Sequence, residues 1–282
     1  MSGGTWTAQN KVAAGVYINF VGEAKPLGTL GERGIVSLPL PLSWGPAKQV
    51  IAVEADADTF EMLGYPITAP QLLLVREALK RARTLLLYRL NTGTQASATI
   101  GSLTVTAKYG GVRGNDISIV VQANIDDPAR FDVKTLVAGT EVDSQTVDMI
   151  EELKPNAWVN LTGTGEPTVT AGTPLTGGAD GTVVAQDYLD YLAAIEVHDF
   201  QTIGLTATDA TTKDVFVSFA KRLRDDEGKK IQVVMENYPT ADYEGVISVK
   251  TASYWQMGRH SLRRRRSRGW PGRQPGRLRT NR

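Results

Sequence analysis

Residues 201–236, QTIGLTATDATTKDVFVSFAKRLRDDEGKKIQVVME, decide the fold. Gln201–Thr206 and Lys230–Glu236 are short apolar, β-branched runs, so each reads as a buried strand. Between them, Thr211–Glu227 places Val215, Phe219 and Leu223, with Phe216 and Ala220, on one helical face, and Gly228 supplies a left-handed stop. Strand, helix, strand in that order implies a right-handed crossover in a parallel sheet. Val246–Val249 begins a further strand.

Working outward, Gln186–Val197 reads as a helix. The same α/β character stands far upstream. Ala69–Arg83 spaces Leu72, Val75, Leu79 and Ala82 along one helical face, with Pro70 tolerated in the first turn, and Thr84–Leu90 follows as a buried-type strand. Gly34–Leu42 and Gln49–Val53 are β-rich, but Pro39, Pro41 and Pro46 favour edges and turns over central strands.

Between these stretches, from Asn91 to Asp180, helical periodicity is largely absent. Ala98–Tyr109, Asp116–Ala123, Phe131–Val137, Thr140–Val147 and Ala157–Thr162 read as strands about ten residues apart, the signature of a sandwich or barrel. Val147–Leu153 is a short helical piece, and Leu161–Asp180 reads as a strand-poor linker. The expected fold class is therefore α/β plus all-β: a split, incomplete α/β domain whose parallel-type sheet is interrupted by a β-sandwich, with an extended N-terminal arm and a disordered Arg-rich tail. The expected divisions are 1–22 for the arm, 23–92 and 181–250 for the two α/β segments, 93–180 for the sandwich and 251–282 for the tail.

Near the N-terminus, Val16, Ile18 and Phe20 alternate with Tyr17 and Asn19 in an apolar run without a nearby hairpin partner. Such a strand pairs with something distant, another chain included. Val16, Tyr17, Ile18, Asn19 and Phe20 are the candidate strand donor.

Charge divides the 282 residues sharply. Residues 1–250 hold all 30 acidic residues against 21 Lys and Arg, a net −9; residues 251–282 hold ten Arg, no Lys and no acid, a net +10. Arg with Trp, Pro and Gly but no Lys is what GC-rich DNA yields in a wrong reading frame. Back-translated and regrouped by one base, the tail begins Asn-Gly-Val-Ile-Leu-Ala-Asp-Gly-Thr-Ala-Leu-Thr and continues as an Ala-rich amphipathic helix. Residues 251–282 are thus expected to be the frameshifted end of a longer protein. With no cysteine, disulfides and thiolate sites are excluded. The N-terminus lacks the regions of a signal peptide, and no apolar run approaches the roughly 20 residues of a membrane span, so neither export nor a membrane partner is expected.

Catalytic constellations fail one by one. His198 stands alone at a helix end and His260 lies in the tail, so no histidine metal cluster is available. Gly228-Lys229-Lys230 lacks the upstream Gly and the Ser or Thr of a phosphate loop, and Gly110-Gly111 with Gly114 lacks dinucleotide spacing and reads as a tight turn. Asp126-Asp127-Pro128 reads as a solvated turn. At the end of the second helix, Asp225 and Asp226 oppose the macrodipole beside Arg222 and Arg224, and these four are a candidate intersubunit ion-pair patch. No enzyme and no cofactor are expected.

Several segments together resemble the contractile-tail sheath proteins of bacteriophages and related bacteriocin particles. They are Gly3–Thr7 with Asn10–Val12 and Gly15–Phe20, Ala107–Tyr109 with Gly114–Ile117, Val142–Val147, Leu175–Gly181, Phe219–Asp226 and Tyr243–Lys250, in the family's order. The resemblance implies a self-assembling structural subunit in hexameric rings stacked helically around a tail tube. Its implied partners are its own copies, the tail tube protein, and baseplate and tail terminator proteins, with neither membrane nor specific nucleic acid among them. It implies assembly in a bacterial cytoplasm and residence in a phage tail or phage-tail-like particle. A nucleic-acid-binding protein using residues 251–282 as a polycationic arm is the alternative, and a carbohydrate-binding sandwich on an α/β hydrolase a third. Sequencing the gene across the codon for Lys250 checks the frame reading; an unbroken frame in independent isolates removes it.

Overall fold

The computed structural model describes residues 34–250. In chain order it contains β1 (Ile35–Leu40), β2 (Val50–Glu54), α1 (Thr59–Leu63), α2 (Leu73–Leu79), β3 (Thr84–Arg89), β4 (Gly93–Thr94), β5 (Ser97–Ile100), β6 (Leu103–Ala107), β7 (Ile117–Ala123), β8 (Phe131–Val137), β9 (Thr140–Val147), β10 (Val159–Thr162), β11 (Thr170–Pro174), β12 (Ala179–Asp180), α3 (Ala185–Ile195), β13 (Thr202–Leu205), α4 (Ala210–Asp225), β14 (Gln232–Glu236) and β15 (Val246–Val249). Several sheets and few helices make up the described residues.

Six strands form one sheet in the order β15-β14-β13-β1-β3-β2, parallel except for β2, which runs antiparallel to β3. Helices α3 and α4 cover one face through Tyr191, Leu192, Ile195, Phe216, Ala220 and Leu223. Helices α1 and α2 cover the other face beside β1 and β3, through Leu63, Leu72 and Val75. Helix α4 follows from its sequence. The Asp209 carboxylate accepts the Thr212 N–H at 2.7 Å, and its apolar stripe is buried. Gly228, at φ +71°, then lets the Lys229 N–H reach the Leu223 carbonyl at 2.9 Å. Below α3 the Tyr191 hydroxyl donates to Ser37 Oγ at 2.7 Å, which donates to the Leu86 carbonyl at 3.0 Å, so a phenol in a dry core keeps a partner. Burial pushes the Tyr191 phenol well above its ordinary pKa.

One sequence expectation is corrected here: β1 is central rather than an edge. It pairs with β3 from Ile35↔Thr84 to Leu40↔Arg89, but with β13 only at Val36↔Thr202 and Ser37↔Ile203. Because the Leu40 carbonyl accepts from Leu90 on the β3 side, the neighbouring Pro39 directs its missing N–H toward β13, past the end of that pairing. A central strand therefore tolerates the proline.

The inserted segment packs a three-stranded sheet, β10-β6-β5, against a four-stranded one, β11-β7-β8-β9. Alternation is regular in β6, β7 and β8, whose inward residues include Val105, Ile117, Ile119, Val121, Val133 and Val137. Two further expectations fail in it. Ala98–Tyr109 is not one strand but the hairpin β5–β6, turned at Gly101, where φ is +58° and an added Cβ would lie 2.2 Å from Thr168 Oγ1. Leu161–Asp180 is not a linker, because it supplies β11, paired with β7, and β12, paired with β4. Of the helical piece at Val147–Leu153 only a single tight turn, Ile150–Glu152, remains.

The Asp209 cap makes a measurable prediction. Its hydrogen bonds to Thr212 hold the carboxyl below its ordinary pKa. The stabilisation is thus present above the unfolded carboxylate value and lost as pH falls through the folded one. Asp209→Ala is expected to cost about 1 kcal/mol at neutral pH. In urea titrations at stepped pH the difference between wild type and variant should begin to narrow below about pH 4 and go on narrowing as the pH falls further.

Candidate assembly surfaces

The last strands of the sheet are its least covered part. Strand β15 pairs with β14 from Val233↔Val246 to Glu236↔Val249, and its outer edge meets no other strand among the described residues. Across the sheet, in parallel register, Leu38, Gly204, Val234 and Ile247 share one row on the face away from α3 and α4. Leu38 leans over Gly204, where an added Cβ would stand 2.4 Å from Leu38 Cδ2. Along that row cover falls away from α2: Leu38 is 8% exposed, Val234 half-buried and Ile247 41% exposed. Ile247 is thus the one large apolar side chain of β14 and β15 that is exposed, among the described residues, beside the outer edge of the sheet.

The end of α4 is a network of charges. Arg222 grips Glu196 through both terminal nitrogens, at 3.0 and 2.7 Å, and Glu227 at 2.7 Å. The Arg222 guanidinium holds the Glu196 carboxyl below its ordinary range. Arg224 donates to the Ile231 carbonyl at 2.8 Å and pairs with Glu244. Asp225 accepts the Tyr243 hydroxyl at 2.9 Å, while Asp226 is exposed. Both arginines and Asp225 thus tie α4 to the end of α3 and to the β14–β15 connection, and Asp226 is exposed. The candidate arm residues Val16, Tyr17, Ile18, Asn19 and Phe20 lie outside the described residues.

No reactive constellation gathers among the described residues. A cleft of about 910 Å³ opens at the N-terminal ends of β1, β3, β13 and β14, lined by Arg83, His198, Asp199, Lys229 and Lys230. His198 is exposed there, and Lys229 is paired with Glu227. Asn124 organises the Asp126–Asp127 turn by accepting both of their N–H groups at 3.0 Å. Gly110 and Gly111 serve close backbone packing. Among the described residues no group of three or more His, Asp or Glu is placed to hold a metal ion, and no helix is long and apolar enough to cross a membrane. Sequence reasoning missed the buried arginines Arg89 and Arg113. The available signal was an arginine closing the otherwise buried run Thr84–Arg89.

Comparison with known proteins divides the chain in three. Residues 33–90 match the N-terminal region of domain III of the tail sheath protein Gp18, residues 91–180 the phage tail sheath protein beta-sandwich domain, and residues 181–256 the phage tail sheath protein central domain. Two Bacillus subtilis (strain 168) proteins, the uncharacterized protein YqbK and the phage-like element PBSX protein XkdK, are each 43% identical over 270 residues, covering 88% of this chain. The chain spans 58% of the length of those two relatives. A crystal structure of a sheath tail protein from Desulfitobacterium hafniense is similar at a TM-score of 0.76 and 63% identity, over 84% of this chain and 56% of that one. The sheath tail protein Lin1278 from Listeria innocua is similar at a TM-score of 0.69 and 43% identity, over 78% and 51%.

The ion network separates folding from contact. Arg222 is well exposed, so Arg222→Ala should change stability by less than about 1 kcal/mol in urea unfolding. A combined Asp225→Lys and Asp226→Lys variant that unfolds like wild type should nonetheless reduce self-association, as read by light scattering. Unchanged association removes the patch as a contact.

Proposed function

The chain belongs to the phage tail sheath family, and from that premise we propose that it is a structural subunit of a contractile sheath, assembling with its own copies into stacked six-membered rings around a tail tube. The observation that carries this reading is the match of three tail sheath regions, in order along residues 33–256, together with 43% identity to the phage-like element protein XkdK. A heterologous contact that repeats along an axis without closing yields a helical array. Strand addition from a neighbour supplies its hydrogen bonds, with Val16, Tyr17, Ile18, Asn19 and Phe20 as the donor arm.

In this reading residues 1–22 are the arm, 23–92 and 181–250 the segments of the α/β body, and 93–180 the sandwich between them. The patch of Arg222, Arg224, Asp225 and Asp226 lies at a subunit contact. Contraction exchanges one set of subunit interfaces for another while the arms keep the lattice connected. Work is done by differences in interface free energy, so no catalytic group is called upon. Tail tube, baseplate and tail terminator proteins are the further partners, and the particle is a phage tail or a phage-tail-like element.

The test supplies this chain, through Lys250, with the remaining length of XkdK. Negative-stain microscopy is expected to show tubes. Removing residues 1–22 should leave the circular dichroism of the folded protein and abolish the tubes. Tubes that persist without residues 1–22 defeat the arm assignment, and a monodisperse monomer in both cases defeats the assembly reading.

A further inference from the structure

The separate family matches for the sheet segments and the sandwich invite the view that these are two independent folding units. Their junction contradicts it. Trp44, in the connection between β1 and β2, is 0% exposed and belongs to the sandwich core, every other buried member of which lies between Ala96 and Leu175. Its ring stacks on Trp158 at 5.1 Å and 28° and meets Tyr109 edge-on at 5.4 Å. Phe60 of α1 reaches Trp158 as well, at 5.0 Å. Gly64, at φ +83°, makes room on the sheet side, where a Cβ would come within 2.7 Å of Trp44 Cβ.

Polar contacts cross the same boundary. Arg89, at the end of β3, donates from Nη1 to the Gly45 carbonyl at 2.7 Å and from Nη2 to the Gly110 carbonyl at 2.6 Å. Arg113 donates from Nε to the Gly64 carbonyl at 2.8 Å, stands 4.5 Å above the Tyr65 ring and holds Asp116 at 2.8 Å. Asp180 accepts from Ser43 Oγ at 2.8 Å and from the Val112 N–H at 3.0 Å. The backbones touch: a Cβ at Gly111 would lie 2.1 Å from the Ser43 carbonyl oxygen. Separating the sheet from the sandwich would pull an indole out of a packed core and leave two buried guanidinium groups short of acceptors, each of which is strongly unfavourable.

From this geometry we infer that sheet and sandwich form one cooperative folding unit, with Trp44 as a core side chain that both share, so that the sandwich does not keep its native core when the sheet opens. Leu72 gives a reporter remote from the junction. It is 0% exposed in the cluster under α2, all of whose buried members lie between Leu38 and Leu87. Leu72→Ala is a truncation of the kind that shifts the opening equilibrium of its cooperative unit by about 30-fold or more.

The experiment is native-state hydrogen exchange on the full chain, at one fixed concentration, for wild type, Leu72→Ala, Trp44→Ala and Trp44→Phe. The slowest amides of β1 and β13 and those of β6 and β7 are expected to accelerate together, by the same factor, in both alanine variants, and Trp44→Phe should restore most of the protection. A sandwich that keeps wild-type protection in Leu72→Ala while the sheet loses it overturns the inference. So does a Trp44→Ala variant in which only the sandwich responds. Should Leu72→Ala lose all protection in the sheet, the sandwich must lose it too, and a sandwich still protected gives the same refutation.

Discussion

Strand β1 joins the two halves of the chain, and the rest of the structure is arranged around that pairing. On one side it takes β3, reached through a local excursion, and on the other β13, whose preceding residue Gln201 is 166 positions from Ile35. The Gln201 side chain fixes the register by accepting the N–H groups of both Gly34 and Ile35, at 3.0 and 2.8 Å. Closing so long a loop is feasible because its entropy rises only with the logarithm of length. The excursion also organises itself. It leaves at Gly93 and returns at Asp180, and those residues pair across β4 and β12. The sheet therefore meets a short bridge in place of a ninety-residue chain.

Among the described residues the sheet is covered more fully at one end than at the other. Two layers of helices cover β1 and β3, whereas β14 and β15 have α4 on one face and little on the other. In a solitary globular protein that asymmetry would be a liability, since an uncovered apolar strand at an edge invites pairing. At the end of α4, Arg222, Arg224 and Asp225 brace the subunit's own connections, and Asp226 is exposed beside them.

Where the sequence was legible, one physical signal dominated. Helix α4 and strands β8, β9 and β15 could be placed because their apolar residues repeat at a helical or extended period, or are bounded by glycine and proline. The β5–β6 hairpin was missed although the apolar alternation changes phase at Gly101 and Ser102, from Ala98 and Ile100 to Leu103 and Val105, which is the mark of a turn. Strand β11 was missed because an exposed strand of Thr, Ala, Gly and Pro has no apolar face. The buried arginines at the junction gave little warning, since a guanidinium can be buried only where distant carbonyls from Gly45, Gly64 and Gly110 converge on it.

The sequence by itself determined the type of most elements and the change from α/β to β character and back, because each depends on composition and short-range spacing. Only the tertiary structure decided that a proline-bearing strand lies at the centre of the sheet and that a tryptophan of one segment completes the core of another. It alone also decided the order of the strands in the sheet. The physical reason is the same in each case. Side-chain period is encoded locally, but hydrogen-bond partners and core neighbours are chosen by which distant surfaces remain unfilled once the chain has closed on itself.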